Sequence, residues 1–317
     1  MKRILTALFA VLMVVSLVAC AGGNSMTMGT GGTSGTYYGY GSILGQFIQS
    51  NTELGVTVVS TDGSKANIQG VQAGSYQLAT VQSDVMSYAW NGTGVFENDG
   101  KVDAFRVVAG LYQEAVQLVT VDPEVKTVAD LKGKAVSIGA AGSGVYFNAI
   151  DVLSAVGLTE DDIDAKYQDF ATSADSLKDG KIQAAFIVAG APTPAITELC
   201  STNPNTRIVP VDGEVAKTLM DKVPFYTAYT IPAGTYRDQT EDVTTVAVKA
   251  TLIVSADATE DEVYGLTKAI FDNVDAITEQ HPKGAELSFE NATAGIDVPF
   301  HAGAAKFFAE NGITVSK

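Results

Sequence analysis

Histidine, cysteine and arginine are the scarce residues of this chain. There are two histidines, His281 and His301, and neither stands in a metal-ligand spacing such as HExxH. A zinc centre or a Ser-His-Asp triad would have to be built on one of them. His281 precedes Pro282 at a helix end and His301 opens a helix, so both are expected to be structural. The two cysteines, Cys20 and Cys200, are too few for a thiolate cluster. Cys200 follows Ile196 and Leu199 at helical spacing and reads as a buried, inert thiol. Arginine occurs only at Arg3, Arg106, Arg207 and Arg237, and no context marks a bidentate clamp on a carboxylate. Positive charge is outnumbered overall, 20 Lys and Arg against 36 Asp and Glu, for a net charge of −16. Such a surface repels nucleic acid, so no DNA or RNA role is expected. No metal and no cofactor is called for.

Long apolar runs are also missing, with one exception at the start. Met1-Lys2-Arg3 is followed by an apolar stretch over 4–18 that closes on Leu17-Val18-Ala19-Cys20. Charged, apolar and small-residue regions in that order make an export signal, and a small residue before cysteine is the pattern of a lipobox. The stretch falls short of the roughly 20 residues that span a bilayer. Residues 1–19 are therefore expected to be a cleaved lipoprotein signal, Cys20 the lipidated residue, and 20–26 a tether. The remainder would work outside the cytoplasm, held to the membrane by lipid alone. With 46% apolar and 18% charged residues it is a globular chain.

What the chain has in abundance is glycine between strands and helices, the grammar of an α/β protein. Four loops share one design: Gly31-Gly32-Thr33-Ser34-Gly35, Asp62-Gly63-Ser64, Ala141-Gly142-Ser143-Gly144 and Ala189-Gly190-Ala191-Pro192-Thr193. In each, a strand ends, small or hydroxyl residues follow, and a helix begins. Helix N-termini expose unpaired N–H groups and carry about half a positive charge. Several of them facing one cleft make an anion site that needs no arginine. Rival motifs fail: Ser34 occupies the third glycine position of a dinucleotide fingerprint, no GxxxxGK[ST] exists, and Ser143 is not in GxSxG.

Long strands are expected near 115–121 and 246–255, with Tyr112-Gln113-Glu114 separating the first from a strand at 105–109. A single capped helix is expected from about 260 to 280, started by Thr259 and Glu262 and striped by Val263, Leu266, Ile270, Val274 and Ile277. The pattern predicts two α/β lobes, 27–117 with 253–317 and 118–252, joined by two hinge strands around a ligand cleft.

At these loops the chain resembles the TAXI family of TRAP-transporter solute receptors. The stretches that carry the resemblance include GTGGTSGTYY (29–38), TDGSKANIQGV (61–71), VQSDV (81–85), VSIGAAGSGVYFNA (136–149) and AAFIVAGAPTPAI (184–196). The resemblance implies a type II periplasmic-binding-protein fold and capture of a small carboxylate, a glutamate-like amino acid or a dicarboxylate, for a TRAP-type membrane transporter subunit. Carried over position by position, it implies ligand contacts from Gly32, Thr33, Tyr37, Ser64, Asn67, Gln82, Ser143, Gly144, Val145 and Thr193, with Glu114 meeting a ligand ammonium. Val145, Tyr146 and Phe147 depart from the more polar residues usual there and imply a more apolar wall. Two other readings stand beside it: a binding protein for an ATP-driven importer of oxyanions or phosphonates, using the same helix ends, and an extracytoplasmic enzyme using Ser143 or Glu114. The main expectation is a receptor that performs no chemistry.

Overall fold

Two long antiparallel strands organise the structure, a computed structural model that describes residues 25–317. The expected export signal and Cys20 lie outside the described residues. In chain order the elements are β1 (Ser25–Gly29), α1 (Thr36–Asn51), β2 (Gly55–Val59), α2 (Ser64–Gln72), β3 (Leu78–Gln82), α3 (Ser83–Asn91) and β4 (Phe105–Thr120). Next come β5 (Ala135–Ser137), α4 (Gly144–Ala155), β6 (Asp164–Lys166), α5 (Phe170–Lys178), β7 (Ala184–Ala189), α6 (Pro194–Thr202), β8 (Arg207–Val209) and α7 (Gly213–Lys222). The chain closes with β9 (Thr227–Ile231), β10 (Val243–Ser255), α8 (Glu260–Phe271), α9 (Val274–Gln280), α10 (Phe289–Thr293) and α11 (Ala302–Glu310).

The strands form one continuous sheet in the order β2-β1-β3-β10-β4-β7-β5-β6, with β9 beside β10 and β8 beside β4. Pairing is parallel in the flanks (β1 with β2 and β3; β5 with β6 and β7) and antiparallel wherever β4 or β10 takes part. The sheet serves three hydrophobic cores, the third holding Ala115 and Val119 of β4 with Leu177, Ile187 and Leu199. Val107 to Tyr112 of β4 and Ala250 to Val254 of β10 belong to the first, with Met28, Leu44, Ile68 and Phe308. Val116 and Leu118 of β4 and Val246 and Val248 of β10 belong to the second, with Val136, Val152 and Phe186. The change of core thus falls between Tyr112 and Ala115 on one strand and between Val248 and Ala250 on the other. Their pairing slips register at Lys249/Thr251, where the change occurs. This is the mixed α/β, two-lobed periplasmic-binding-protein fold, with β4 and β10 crossing between the lobes.

Two elements differ from the sequence reading. Tyr112-Gln113-Glu114 does not separate two strands; β4 runs unbroken for 16 residues. The strand continues through these residues: Glu114 accepts from Gln82, and the backbone N–H of Gln113 donates to Glu286 Oε2 at 2.7 Å. The expected helix over 260–280 is two. The capping box at Thr259 and Glu262 starts α8, but Asp272 caps it and Asn273 leaves helical geometry (φ −119°, ψ 21°) before α9 begins. The break lets Phe271 pack on Phe289, Phe307 and Phe308 while the stripe stays in phase. His281 follows α9 and its ring accepts from Lys283 N at the start of the 3-10 turn Pro282–Glu286, and His301 caps α11, accepting from Gly303 N. Cys200 is a free, buried thiol. Among the described residues no helix is long and apolar enough to cross a membrane.

Candidate ligand-binding cleft

Parallel strands deliver their carboxyl ends to one place, and here those ends face each other across the hinge. From the first lobe, β1 leads through Gly31 and Gly32 to α1, β2 through Asp62 and Gly63 to α2, and β3 ends on Gln82. From the second, β5 leads through Ala140 and Ser143 to α4, β6 through Gln168 to α5, and β7 ends on Ala189. These residues line one cavity of about 220 Å³, with Glu114 of β4 also in its wall. The volume is below the ~300–1,000 Å³ of drug-sized sites, so the space suits a small metabolite.

The lobes touch around this cavity. Ala66 N donates to Gly142 O at 3.2 Å, Ala195 N to Ser34 O at 3.1 Å, and Thr36 Oγ1 to Gly190 O at 2.8 Å. Two glycines make the approach possible. Gly63 has φ +104° directly before α2, a conformation that side-chain-bearing residues rarely adopt. A Cβ at Gly144 would lie 1.5 Å from Gln82 Oε1, on the opposite lobe.

Eight of the residues implied by the sequence line the cavity: Gly32, Tyr37, Ser64, Gln82, Glu114, Ser143, Gly144 and Val145. Three lie outside it. Thr33 is exposed on the loop. Asn67 is buried with its amide spent inside its own lobe, donating to Thr30 O (2.6 Å) and Thr80 O (2.8 Å) and accepting from Thr61. Thr193 donates to Gly190 O and accepts from Gln117 Nε2. Thr36, Gln168, Asp169 and Phe170 also line the cavity and were missed, and Asp62, in one of the four loops, lines it too.

The electrostatics of the wall are lopsided. It contains the carboxyls of Asp62, Glu114 and Asp169 and no lysine, arginine or histidine. Asp62 and Asp169 are exposed at the rim, whereas Glu114 is 1% exposed. Burial pushes the Glu114 carboxyl up to about 8, against the downward pull of Tyr37 and Gln82. Gln82 Nε2 donates to Glu114 Oε2 at 3.3 Å and to Asn148 Oδ1 at 3.0 Å. Glu114 Oε1, Gln82 Oε1, Gln168 Oε1 and the Tyr37 hydroxyl are buried with no hydrogen-bond partner in the protein. The hydroxyl of Tyr37 stands near Glu114 and Ser64 without hydrogen-bond geometry to either. Unpaired buried polar atoms are costly, and four in one wall imply a polar group that completes them. The N-termini of α1, α2 and α4 also reach the cavity, through Thr36 and Tyr37, through Ser64, and through Gly144 and Val145. Ser143 is committed as the α4 cap: it donates to Ala140 O at 2.7 Å and accepts from Tyr146 N at 3.3 Å.

A family model described as the NMT1-like family matches residues 28–312. Similar folds occur in PhnD1 from Prochlorococcus marinus in complex with methylphosphonate (TM-score 0.55, 10% identity, 82% of this chain and 90% of that one). The alkanesulfonate-binding protein SsuA from Xanthomonas axonopodis pv. citri bound to MOPS gives a TM-score of 0.52 at 16% identity, over 90% of this chain and 93% of that one. A periplasmic binding protein of Salmonella typhimurium with high arginine specificity gives 0.50 at 13% identity, over 83% and 98%. At these identities the likeness speaks for the fold alone. The family match corrects the resemblance to TAXI receptors, and with it the expectation of a TRAP-type membrane subunit as partner. The physical reason is that glycine-rich strand-to-helix loops arise wherever this fold builds a cleft, so they mark the fold and not the transporter it serves. The chain belongs to the NMT1-like family.

Proposed function

We propose that the protein is an extracytoplasmic solute receptor that closes on a small amino-acid-type zwitterion and hands it to an ATP-driven importer. The observation that carries the reading is the composition of the cavity wall: three carboxyls, no cationic side chain, and the first residues of three helices. A ligand that is only an anion would leave the buried oxygens of Glu114 and Gln82 without a donor. A zwitterion satisfies both halves, its acidic group on the N–H groups of α1, α2 and α4 and its ammonium on Glu114 and Gln82 Oε1. The same logic disfavours the dicarboxylates among the sequence-level candidates. An ATP-driven importer is the partner class that the family and its structural neighbours favour. Lipid attachment at Cys20 would hold the receptor at the membrane surface. Ser143 has no histidine or carboxylate partner among its hydrogen bonds, which leaves the enzyme reading without an activated nucleophile.

A thermal-shift panel tests the ligand class. A ligand at one hundred times its Kd stabilises the fold by about 2.7 kcal/mol, or roughly 5 °C for a chain of this size. Some of L-glutamine, L-glutamate, L-leucine and L-arginine are expected to give such shifts, and succinate, 2-oxoglutarate, methylphosphonate and alkanesulfonates none. Shifts confined to the amine-free anions would refute the reading.

A further inference from the structure

Beside the cavity, and not part of its lining, a buried polar chain crosses from one lobe to the other. Gly144, Asn148 and Asp151 fall on one face of α4, four and three residues apart. Asn148 is fully buried. Its Nδ2 donates to Asp84 Oδ2 of the first lobe at 2.9 Å and to the Tyr226 hydroxyl at 2.9 Å. Tyr226 in turn donates to Asp151 Oδ2 at 3.0 Å. On its other side Asn148 Oδ1 accepts from Gln82 Nε2.

One assignment of donors and acceptors runs through this chain. Asp84 Oδ2 accepts from Asn148 Nδ2. Tyr226 has one proton, given to Asp151, so towards Asn148 it also accepts. The amide of Asn148 must therefore turn its NH2 to Asp84 and Tyr226 and its oxygen to Gln82. That in turn fixes Gln82. Its NH2 is consumed by Asn148 and Glu114, leaving only its oxygen free.

We infer that Asn148 is the closure latch of this receptor: docking between Asp84 and Tyr226 when the lobes meet, it holds them together and sets Gln82 to present an acceptor to the ligand. It is a positioning residue that acts through Asp84 and Gln82. The latch rests on the reading of two lobes that open and close, but not on the identity of the ligand. Asn148→Asp brings a third carboxylate beside Asp84 and Asp151 and removes the NH2 that Asp84 and Tyr226 accept from. Exchanging the pair, Asp84→Asn with Asn148→Asp, restores the donor–acceptor bond between the lobes with its direction reversed, at the cost of the bond to Tyr226.

Closure can be read without ligand. A Cβ at Gly142 would lie 3.5 Å from Ala66 Cβ across the cleft, within disulfide reach, so Ala66→Cys with Gly142→Cys traps the closed form. In that background, N148D is expected to slow formation of the 66–142 crosslink, mapped by mass spectrometry, at least ~10-fold. D84N alone, whose amide oxygen still accepts, should slow it little, and D84N/N148D should recover most of the rate that N148D loses. Thermal melts of the same chains separate closure from folding. An unslowed N148D, whether or not it melts early, or a slowed one that D84N fails to rescue, overturns the latch. The ligand panel can fail while this result stands, and the reverse holds equally.

Discussion

Replacing Gly144 with alanine is expected to cripple ligand capture by roughly 100-fold while leaving the fold of each lobe intact. The new Cβ would fall 1.5 Å from Gln82 Oε1 and 2.5 Å from its Cδ, an overlap no packing adjustment absorbs. Either the lobes stay apart or the Gln82 side chain swings out of the way. Swinging out breaks its hydrogen bonds to Asn148 and Glu114, and each buried bond is worth about 1–1.5 kcal/mol. Two of them correspond to about two orders of magnitude in Kd. Alanine is otherwise welcome in a helix, and Gly144 has an ordinary backbone conformation. The melting temperature of the unliganded protein should therefore hold. Calorimetric titration with the best amino acid of the panel, beside a thermal melt, measures both. Unchanged affinity in G144A would mean that the contact with Gln82 is not made in the liganded state.

Glu114→Gln should have opposite effects on binding and on stability. Removing one partner of a buried ion pair costs about 3–5 kcal/mol, so amino-acid affinity should fall at least ~100-fold. Stability moves the other way. Because burial raises the Glu114 carboxyl from its ordinary 4.5 to about 8, the unfolded chain binds fewer protons than the folded one between these values. Its contribution is complete below pH 4.5 and is lost as pH rises to about 8. The unliganded E114Q chain should thus melt higher than the parent at pH 8 by about 2–4 °C per kcal/mol recovered, with a flatter pH profile. Asp84, raised by burial to about 6, leaves a smaller slope of the same sign in both chains. Melts at pH 5 and pH 8 test the sign. A variant that melts lower than the parent at pH 8 would show that Glu114 is not neutral in the unliganded cleft.

The glycine loops could be read from sequence because helix initiation is local: small residues after a strand leave N–H groups free wherever they occur. Gly32, Ser64, Ser143 and Gly144 stand in such loops, whereas Tyr37, Gln82, Glu114 and Val145 come only from the position-by-position resemblance. Gln168, Asp169 and Phe170 were missed because the strand before them, Asp164-Ala165-Lys166, has three residues and no apolar run. The latch was invisible for a different reason. Asn148 meets Asp84 and Tyr226 at separations of 64 and 78 residues, and such partners exist only after two lobes have formed. The break between α8 and α9 escaped because Asp272-Asn273 leaves the apolar stripe in phase, so periodicity alone spans it. Thr193 and Asn67 show the converse error: hydroxyl and amide residues in a glycine loop can be spent on holding the loop. Family membership was the hardest to read, since the same cleft-building loops serve receptors of unrelated transporters.

The central claim is that Glu114 takes up a ligand ammonium, and the pH dependence of affinity tests it most directly. Below pH 8 an ammonium-bearing ligand must drive a proton off Glu114. Affinity for an amino acid should therefore rise up to about tenfold per pH unit from pH 6 towards 8 and then level, with a proton released to buffer, and E114Q should abolish both the slope and the release. If Glu114 instead donates its proton to an anionic ligand, affinity will fall as pH passes 8 and no proton will be released, and the zwitterion account is wrong.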